Sequence, residues 1–375
     1  MNRPSNPQRD PSGMAEAGGL LTIDLAALVA NWRALAARAT GAECAAVVKA
    51  DAYGCGIAPV AGALAAAGCR TFFVAHLAEG RRVREAAPEA TVYLLNGLLP
   101  GTAPALAEAG LRPILGSLAE VAEWNGFAEA TGWTGGAALH IDTGMNRLGL
   151  APAEARTAAA RPPRNLALVM SHLACADETD HPLTARQVAA FRELRTLFPG
   201  IAGSLANSSG IFLGGAAYHD LVRPGVALYG ANPTPAGANP MRAVVRLEGR
   251  IVQLRRVAAG ETVGYGATWT ARRDSRIAVI AVGYADGLLR AASASDHKPG
   301  AEAVVAGRCC PLAGRISMDL AAIDVTDVPE EQVMRGDLAT LLGEEIGVDA
   351  LAARAGTIGY EILTGLGRRY HRVYV

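Results

Sequence analysis

Short apolar segments alternate with longer segments of helical periodicity over the first part of the chain. From about residue 44 to 230, runs of small, β-branched and aromatic residues are separated by stretches rich in Ala, Leu, Glu and Arg. This alternation is typical of β/α units, in which a buried strand is followed by an amphipathic helix. The predicted strands are CAAVVKA, TFFVA, TVYLLN, RPILG, GAALHID, LALVMSH, GSLAN and GVALYG.

The number of β/α units distinguishes two architectures. About eight units in a segment of this length favour a (β/α)8 barrel of the TIM type. A doubly wound open sheet is the alternative, but no G-x-G-x-x-G motif follows the first predicted strand. The stretch GLLTIDLAALVANWRAL is predicted as an opening strand that precedes the barrel and could pair with a later β domain.

The pattern changes after NPTPAGANP (232–240), which reads as a linker. The segments beyond it are strand-like with turns between them, and helical periodicity returns only at DALAARAG (349–356). This predicts a mainly β C-terminal domain. The predicted organisation is a disordered tail over residues 1–18, a barrel over 19–240 and a mainly β domain over 241–375.

Composition excludes several classes of partner. The 375 residues include 51% hydrophobic residues, and 35 Lys and Arg balance 35 Asp and Glu. A neutral chain has no general attraction to nucleic acid or to acidic membranes, which favours small molecules or other protein chains as partners. No apolar run has the length of a membrane span, and no apolar segment of a secretory signal opens the chain.

Cysteine and histidine are scattered along the chain. No two of the six cysteines have C-x-x-C spacing, and the seven histidines include no close ligand pair, so we expect no metal site. Scattered cysteines in a large chain are typical of reduced thiols in the cytoplasm. The sequence leaves the role of the adjacent Cys309 and Cys310 open.

Polar residues follow the ends of several predicted barrel strands. In a barrel of this type, reactive side chains gather at the carboxyl ends of the strands. Each residue alone has an ordinary explanation as a surface lysine, core histidine, helix cap or ion-pair partner. Together they favour a site that binds an anion, either a phosphate or a carboxylate. They are Lys49, Asp142, Arg147, His172, Asn207, Ser208 and Arg223.

Five motifs, in order along the chain, resemble those of the alanine racemase family. They are VVKADAYGCG, GYGATW (264–269), GYADG (283–287), RISMD (315–319) and TIGYE (357–361). The similarity extends from about residue 20 to the C-terminus. It implies an enzyme that uses pyridoxal phosphate (PLP) to interconvert L- and D-alanine. It also implies a head-to-tail homodimer with shared active sites, which supplies D-alanine for peptidoglycan.

The resemblance assigns a role to each motif. Lys49 would form a Schiff base with PLP and then act as one base, and Tyr265 of the partner subunit would act as the second. A phenol is a weak acid and needs neighbouring cations to serve as a base. Arg223 would face the pyridine nitrogen of PLP, with His172 packed near the ring. The phosphate would be held by Tyr53, Ser208, Tyr360 and the backbone of Gly225 and Val226.

Further residues would bind the substrate by the same resemblance. Arg147 would bond the phenolic oxygen of PLP and the substrate carboxylate, and the backbone N–H of Met318 of the partner subunit would also hold that carboxylate. Tyr284 and Tyr360 would narrow the entrance and the pocket. A narrow pocket fits alanine first and serine second, although one methylene gives limited discrimination.

One position departs from the commonest family pattern. Many relatives carry a carbamylated lysine two residues before the Asp of DTGM, where it braces the arginine, and this chain has His140 there. A histidine cannot supply the negative charge of a carbamate. We hypothesise that a bound anion such as chloride, or another polar group, braces Arg147 instead.

Three alternatives stay open at this point. The chain could be a racemase of broad specificity, or a PLP decarboxylase of the same architecture. GYGATW and Arg223 disfavour the decarboxylase, because decarboxylases of this fold place a carboxylate at the pyridine nitrogen. A non-catalytic PLP carrier is the third alternative, and residues 241–375 disfavour it because such carriers consist of a single barrel.

Overall fold

A computed structural model describes residues 11–178 and 180–375. Its internal contacts divide the chain into two compact units. The barrel unit comprises Val29–Leu228 and Asn232–Met241. The β unit comprises the described residues up to Leu28, together with Tyr229–Ala231 and Arg242–Val375.

Parallel strands form the core of the barrel unit. From Ala46–Val47 to Ala202–Ser204, each strand pairs in parallel with the next along the chain, so the helices between them lie outside. The strands are Glu43–Cys44, Ala46–Val47, Thr71–Val74, Thr91–Leu94, Arg112–Leu115, Ala137–His140, Leu166–Met170, Ala202–Ser204 and Leu221–Val222. The first two form one strand that is interrupted at Ala45, so the barrel has eight strands.

Hydrogen bonds between the last and first strands close the barrel. Leu221–Val222 pairs in parallel with Glu43–Cys44, and Val47 N donates to Pro224 O at 2.9 Å. On the other side, Asp220 N donates to Gly203 O at 2.9 Å. These hydrogen bonds join the last strand to both of its neighbours, which agrees with the predicted barrel.

Helices separate the barrel strands and bury apolar side chains against them. Helix Leu118–Thr131 shows the local signals: the Ser117 hydroxyl accepts a hydrogen bond from Glu120 N, and Gly132 ends the helix in a left-handed conformation. Trp124 and Phe191 are fully buried on the inner faces of their helices. The helices are Leu25–Arg38, Ile57–Ala66, Leu77–Ala86, Ala103–Glu108, Leu118–Thr131, Pro152–Ala160 and Pro182–Leu194.

Two strand predictions were wrong in detail. The eighth strand is Leu221–Val222, and Val226–Tyr229 in GVALYG is a 3-10 turn. Pro224 O still accepts from Val47 N, but Pro224 has no N–H to donate, and the pairing ends there. The opening stretch contains a strand only over Gly19–Ile23, because Asp24 accepts a hydrogen bond from Ala27 N at 2.8 Å and begins a helix.

The β unit consists mainly of strands, as predicted for the second domain, and most of them pair in antiparallel fashion. Gly19–Ile23 lies between Val245–Val257 and His371–Tyr374, the pairing that the sequence had left open. The remaining strands are Thr262–Val263, Trp269–Thr270, Ser275–Ile280, Glu302–Val305, Arg308–Pro311, Ala321–Asp324 and Leu338–Leu342. Two helices, Val348–Ala355 and Gly359–Thr364, complete the unit.

The predicted disordered tail lies partly outside the described residues, which begin at residue 11. Pro11–Glu16 is a short helix. Arg250 fixes the segment, since its Nη2 donates to Met14 O at 2.8 Å and its Nε to Ala17 O at 3.1 Å. Within 11–178 and 180–375, no helix has both the length and the hydropathy needed to cross a membrane.

Two glycines at positive φ offer a matched test of backbone strain. Gly287 (φ 104°) packs against Gly365 O, so an added Cβ would overlap that oxygen, whereas Gly356 (φ 71°) has open space around it. We expect Gly356→Ala to lower the free energy of unfolding by about 1 kcal/mol through backbone strain alone. Gly287→Ala should cost about 3 kcal/mol, because steric overlap adds to the strain. Urea unfolding measures both, and equal losses would contradict the packing described.

Candidate functional site

Lys49 follows the first barrel strand and begins a backbone turn of unusual hand. Ala50, Asp51, Ala52 and Tyr53 have φ of 55°, 54°, 55° and 51°, all in the left-handed region. This conformation costs about 1–2 kcal/mol for each residue with a Cβ. A run of four such residues persists only where the surrounding contacts hold it.

Two carboxylates hold this turn. Asp51 Oδ1 accepts from Ile57 N at 3.1 Å and pairs with Arg82 Nη1 at 2.7 Å. Glu79 Oε1 accepts from Ala50 N at 2.7 Å. The backbone N–H of Ala50 and the side chain of Asp51, directly after Lys49, are therefore both held by hydrogen bonds.

The Lys49 amine is half-buried and less basic than an ordinary lysine. Burial is the main cause of its lowered pKa, followed by the charge of Arg147, while Glu79 acts in the opposite direction. A lower pKa raises the fraction of neutral amine at a given pH. Neutral amine is the form that attacks carbonyl groups and accepts protons.

Arg223 is the most deeply buried cation of the site, with 3% of its surface exposed. It donates to Ser204 Oγ, to Ser171 O at 2.6 Å and to Leu205 O at 3.3 Å. Burial lowers the pKa of Arg223 to about 9, so it stays a cation at neutral pH. No carboxylate pairs with it among the described residues, so its charge remains available to a ligand.

Tyr53, Ser208 and Gly225 converge beside Arg223. The Ser208 hydroxyl accepts from Gly225 N at 2.9 Å and from Ala227 N at 3.3 Å. A Cβ at Gly225 would overlap the Tyr53 hydroxyl, so glycine is required for this approach. Val226 begins the 3-10 turn there. Hydroxyl and backbone N–H groups concentrated in this way suit a phosphate.

The loop after the fifth strand carries Arg147. The Asp142 carboxylate accepts from Gly144 N at 3.0 Å, Met145 N at 2.9 Å and Asn146 N at 3.0 Å, which fixes the loop. The Arg147 side chain is exposed in this chain. Within the described part of the protein it has no ion pair and no hydrogen bond, so it is free to bind an anion.

Two histidines contribute to the same pocket in their neutral form. Burial, followed by the charge of Arg223, lowers the pKa of His140 to about 4. The same two causes, with smaller contributions from Arg147, His140 and Lys49, place the pKa of His172 well below its usual value. With both histidines neutral, the cations of the predicted strand-end cluster are Arg223, Arg147 and protonated Lys49.

A buried polar group behind the site was not singled out from the sequence. Gln187 is fully buried, and its Nε2 donates to His172 O at 2.9 Å and to Thr143 Oγ1 at 3.3 Å. Thr143 Oγ1 lies 2.8 Å from Ser171 Oγ. A glutamine on the apolar stripe of helix Pro182–Leu194 was the available signal.

Tyr265 belongs to the β unit and is 72% exposed. It begins the turn Tyr265–Ala267 between two short paired strands. The Arg315 guanidinium lies against this turn, since a Cβ on Gly266 would be 2.7 Å from Nη1. Both Tyr265 and Arg315 line a cavity of about 840 Å³ within the β unit. A cation therefore accompanies this tyrosine.

Tyr284 and Met318 lie on two loops of the β unit that contact each other. Tyr284 N donates to Ser317 O at 3.0 Å. The side chains of Tyr284 and Met318 are exposed. Arg369 joins the loops, because its Nε pairs with Asp286 at 3.2 Å and its Nη1 with Asp319 at 2.9 Å. Tyr360 is exposed on helix Gly359–Thr364.

The predicted site residues thus form two groups. One group lies in the barrel unit: Lys49, Tyr53, Arg147, His172, Ser208, Arg223, Gly225 and Val226. The other lies in the β unit: Tyr265, Tyr284, Met318 and Tyr360. Their assigned roles remain predictions. Glu79, Arg315 and Gln187 had not been assigned individual roles.

Family models match both parts of the chain. The description "Alanine racemase, N-terminal domain" matches residues 23–233, and "Alanine racemase, C-terminal domain" matches residues 244–374. The alanine racemase of Methylobacterium nodulans is 57% identical over 361 residues, which cover 96% of each chain. That of Rhodospirillum rubrum is 50% identical over 365 residues, again 96% of each chain.

A solved structure matches the whole fold closely. It is the alanine racemase of Bartonella henselae with covalently bound pyridoxal phosphate, which aligns with a TM-score of 0.90 and 38% identity. The alignment covers 96% of this chain and 100% of that one. Together with the family models, it confirms the resemblance drawn from the five motifs.

His140 should make stability depend on pH. In the unfolded chain a histidine binds a proton near pH ~6.5, whereas His140 does so only near 4. The unfolded chain therefore binds more protons between these values, and stability falls as the pH drops through this window. His140→Gln should remove roughly 3 kcal/mol of this pH dependence. Urea unfolding from pH 7 to 4 measures it, with the exposed His297→Gln as control. An unchanged slope in His140→Gln would refute the assignment.

Proposed function

The chain belongs to the alanine racemase family, and we propose that it interconverts L- and D-alanine with pyridoxal phosphate as cofactor. The observation that carries the proposal is the Lys49 amine, which has a lowered pKa and faces Arg147. Arg223, a buried cation without a carboxylate partner among the described residues, lies in the same pocket. Such a pocket favours a ligand that carries both a carbonyl group and anionic groups.

The donors of the barrel unit fit this cofactor. Lys49 would hold it covalently at Nζ, and the phosphate would be held by Tyr53, Ser208 and the backbone of Gly225 and Val226. The absence of a Cβ at Gly225 leaves room beside the Tyr53 hydroxyl. Tyr360 would complete the phosphate site. When bound, pyridoxal phosphate withdraws electrons from the α-carbon of the amino acid and makes its α-proton removable.

Arg223 would donate a hydrogen bond to the pyridine nitrogen and leave it unprotonated. Arg223 keeps its proton at neutral pH, and neutral acceptors such as Ser171 O orient it without cancelling its charge. An arginine there disfavours the decarboxylase alternative, which calls for a carboxylate. His172 would pack near the ring as a neutral imidazole.

Two bases on opposite faces would move the α-proton. Lys49 Nζ would remove or return it on one face, and Tyr265 Oη of the partner subunit would do so on the other. Arg315 beside the Tyr265 turn is a cation suited to stabilise a phenolate. The high exposure of Tyr265 within one chain supports a head-to-tail homodimer in which each site uses both subunits.

Arg147 would bind the substrate carboxylate, together with the backbone N–H of Met318 of the partner subunit. Arg147 has no competing ion pair in the described residues, and its loop is fixed by Asp142. Tyr284 would narrow the entrance, so alanine would be preferred and serine would follow. His140 is neutral and cannot brace Arg147 by charge, which supports a bound anion such as chloride in that role.

The biological role follows from the product. We propose that the enzyme works in the cytoplasm and supplies D-alanine for peptidoglycan. Its six cysteines are free thiols, and four of them are buried, which fits a reducing compartment.

Replacing Lys49 tests the cofactor and the activity together. The wild-type protein should carry the visible absorbance of covalently held pyridoxal phosphate, racemise alanine best in an amino-acid panel, and restore growth of a D-alanine auxotroph. Lys49→Ala should lose the absorbance and at least about a thousandfold in kcat, because it removes the covalent anchor and one base. The chain has one other lysine, and Lys298→Ala is the matched control that should keep both properties. A wild-type protein with no racemase activity after addition of pyridoxal phosphate would reject the proposal.

Mixed dimers test whether the two bases come from different chains. Lys49→Ala and Tyr265→Ala homodimers should each be nearly inactive. Co-expression with two affinity tags yields a hybrid dimer, in which one site has both bases and the other has neither. Its activity should be about half that of the wild type. A hybrid as inactive as its parents would show that each site takes both bases from one chain.

A further inference from the structure

Glu79 makes two kinds of contact with its two carboxylate oxygens. It is the third residue of helix Leu77–Ala86, and its Oε2 accepts from His76 N at 3.1 Å and from Ala75 N at 2.8 Å. Contacts of this kind are ordinary for a glutamate that caps its own helix. Oε1 points elsewhere, to Ala50 N at 2.7 Å, 29 residues earlier in the chain.

Ala50 is the residue that follows Lys49 and the first of the left-handed turn. The N–H groups at the beginning of a helical turn have no partner within the turn. Glu79 supplies that partner, so the strained backbone is fixed at the peptide bond between Lys49 and Ala50. A displacement there would move the Lys49 amine directly.

The charged and titratable groups that face the Lys49 amine come from three other elements. Arg147 lies on the loop after the fifth strand, His172 at the end of the sixth, and Glu79 on helix Leu77–Ala86. Asp51, in the turn itself, is already paired with Arg82. Arg147 makes protonation of the amine less favourable, and Glu79 makes it more favourable.

We propose that Glu79 is a positioning residue for the reactive lysine: it anchors the backbone after Lys49 and its negative charge offsets that of Arg147 at the amine. This inference rests on the proposed function for its catalytic meaning. Its structural part, the bond from Ala50 N to Glu79 and the charge of Glu79 near Lys49, does not depend on that function. It assigns a role in the reaction to a side chain that would otherwise count only as a helix cap.

Glu120 provides a matched comparison within the same barrel. It is the third residue of helix Leu118–Thr131, its Oε2 accepts from Gly116 N at 2.7 Å, and its Oε1 accepts from Leu98 N at 2.8 Å. Each glutamate therefore joins the loop before its own helix to the loop of an earlier β/α unit. Only Glu79 does so next to Lys49. Loss of either should weaken the barrel similarly.

Amine labelling measures the effect independently of catalysis. The chain has two lysines, Lys49 and Lys298, so acylation of each can be followed by peptide mass spectrometry across pH. The sample is the full-length protein after removal of carbonyl cofactors with hydroxylamine. In Glu79→Gln the labelling midpoint of Lys49 should shift down by about half a pH unit or more, because a negative charge is lost near the amine. Lys298 should be unchanged, and Glu120→Gln should leave both midpoints unchanged.

Activity of the loaded enzyme provides the second readout. We expect kcat for alanine to fall at least about tenfold in Glu79→Gln and to stay within about twofold in Glu120→Gln, with similar losses of thermal stability in both. Glu79→Asp keeps the charge and should keep the labelling midpoint near the wild-type value.

The proposal is overturned if the two Gln variants shift the Lys49 midpoint equally, or if neither shifts it. A wild-type protein without racemase activity would reject the proposed function but leave the labelling result on Glu79 intact.

Discussion

Burial of titratable groups beside two arginines governs the chemistry at the mouth of the barrel. Arg223 is held deep in the unit by neutral acceptors, and Arg147 lies on a loop where no carboxylate of the described chain meets it. Burial is the main reason why the neighbouring groups do not hold a proton, and the charges of the two arginines add to it. The two histidines are consequently neutral, and the Lys49 amine is less basic than usual. An anionic ligand relieves the repulsion between the cations, so the arginines that help to make the lysine reactive also favour an anion beside it.

The fold makes this concentration of charge possible because separate loops position the groups of the site. The groups of the site follow the first, fifth, sixth, seventh and eighth strands, and separate contacts fix the loops that carry them. Asp142 fixes the Arg147 loop through three backbone N–H groups, and Ser208 fixes the turn at Gly225. Gln187 joins the loop of His172 to that of Thr143 from behind. These contacts fix the individual loops, and closure of the barrel brings the units together.

The sequence predicted the barrel because apolar strands and amphipathic helices alternate with a regular period, and it predicted the β domain because that period disappears after residue 240. The cationic pocket followed from polar residues at corresponding strand ends. Val226–Tyr229 was mistaken for a strand because its residues have strand composition, and only Pro224 signals the interruption. Glu79 escaped notice because a glutamate in the first helical turn is usual, and nothing local shows that one oxygen reaches Ala50.

The left-handed turn after Lys49 also escaped prediction, since Ala-Asp-Ala-Tyr contains no glycine to mark it. The left-handed conformation of this turn restricts which substitutions the segment can accept. Val, Ile and Thr carry two groups on Cβ and fit poorly at positive φ, whereas Gly, Asn and Asp are accommodated. Backbone geometry thus limits which residues positions 50, 51 and 52 can accept. A substitution that looks conservative by size or hydropathy, such as Ala52→Val, belongs to the excluded class.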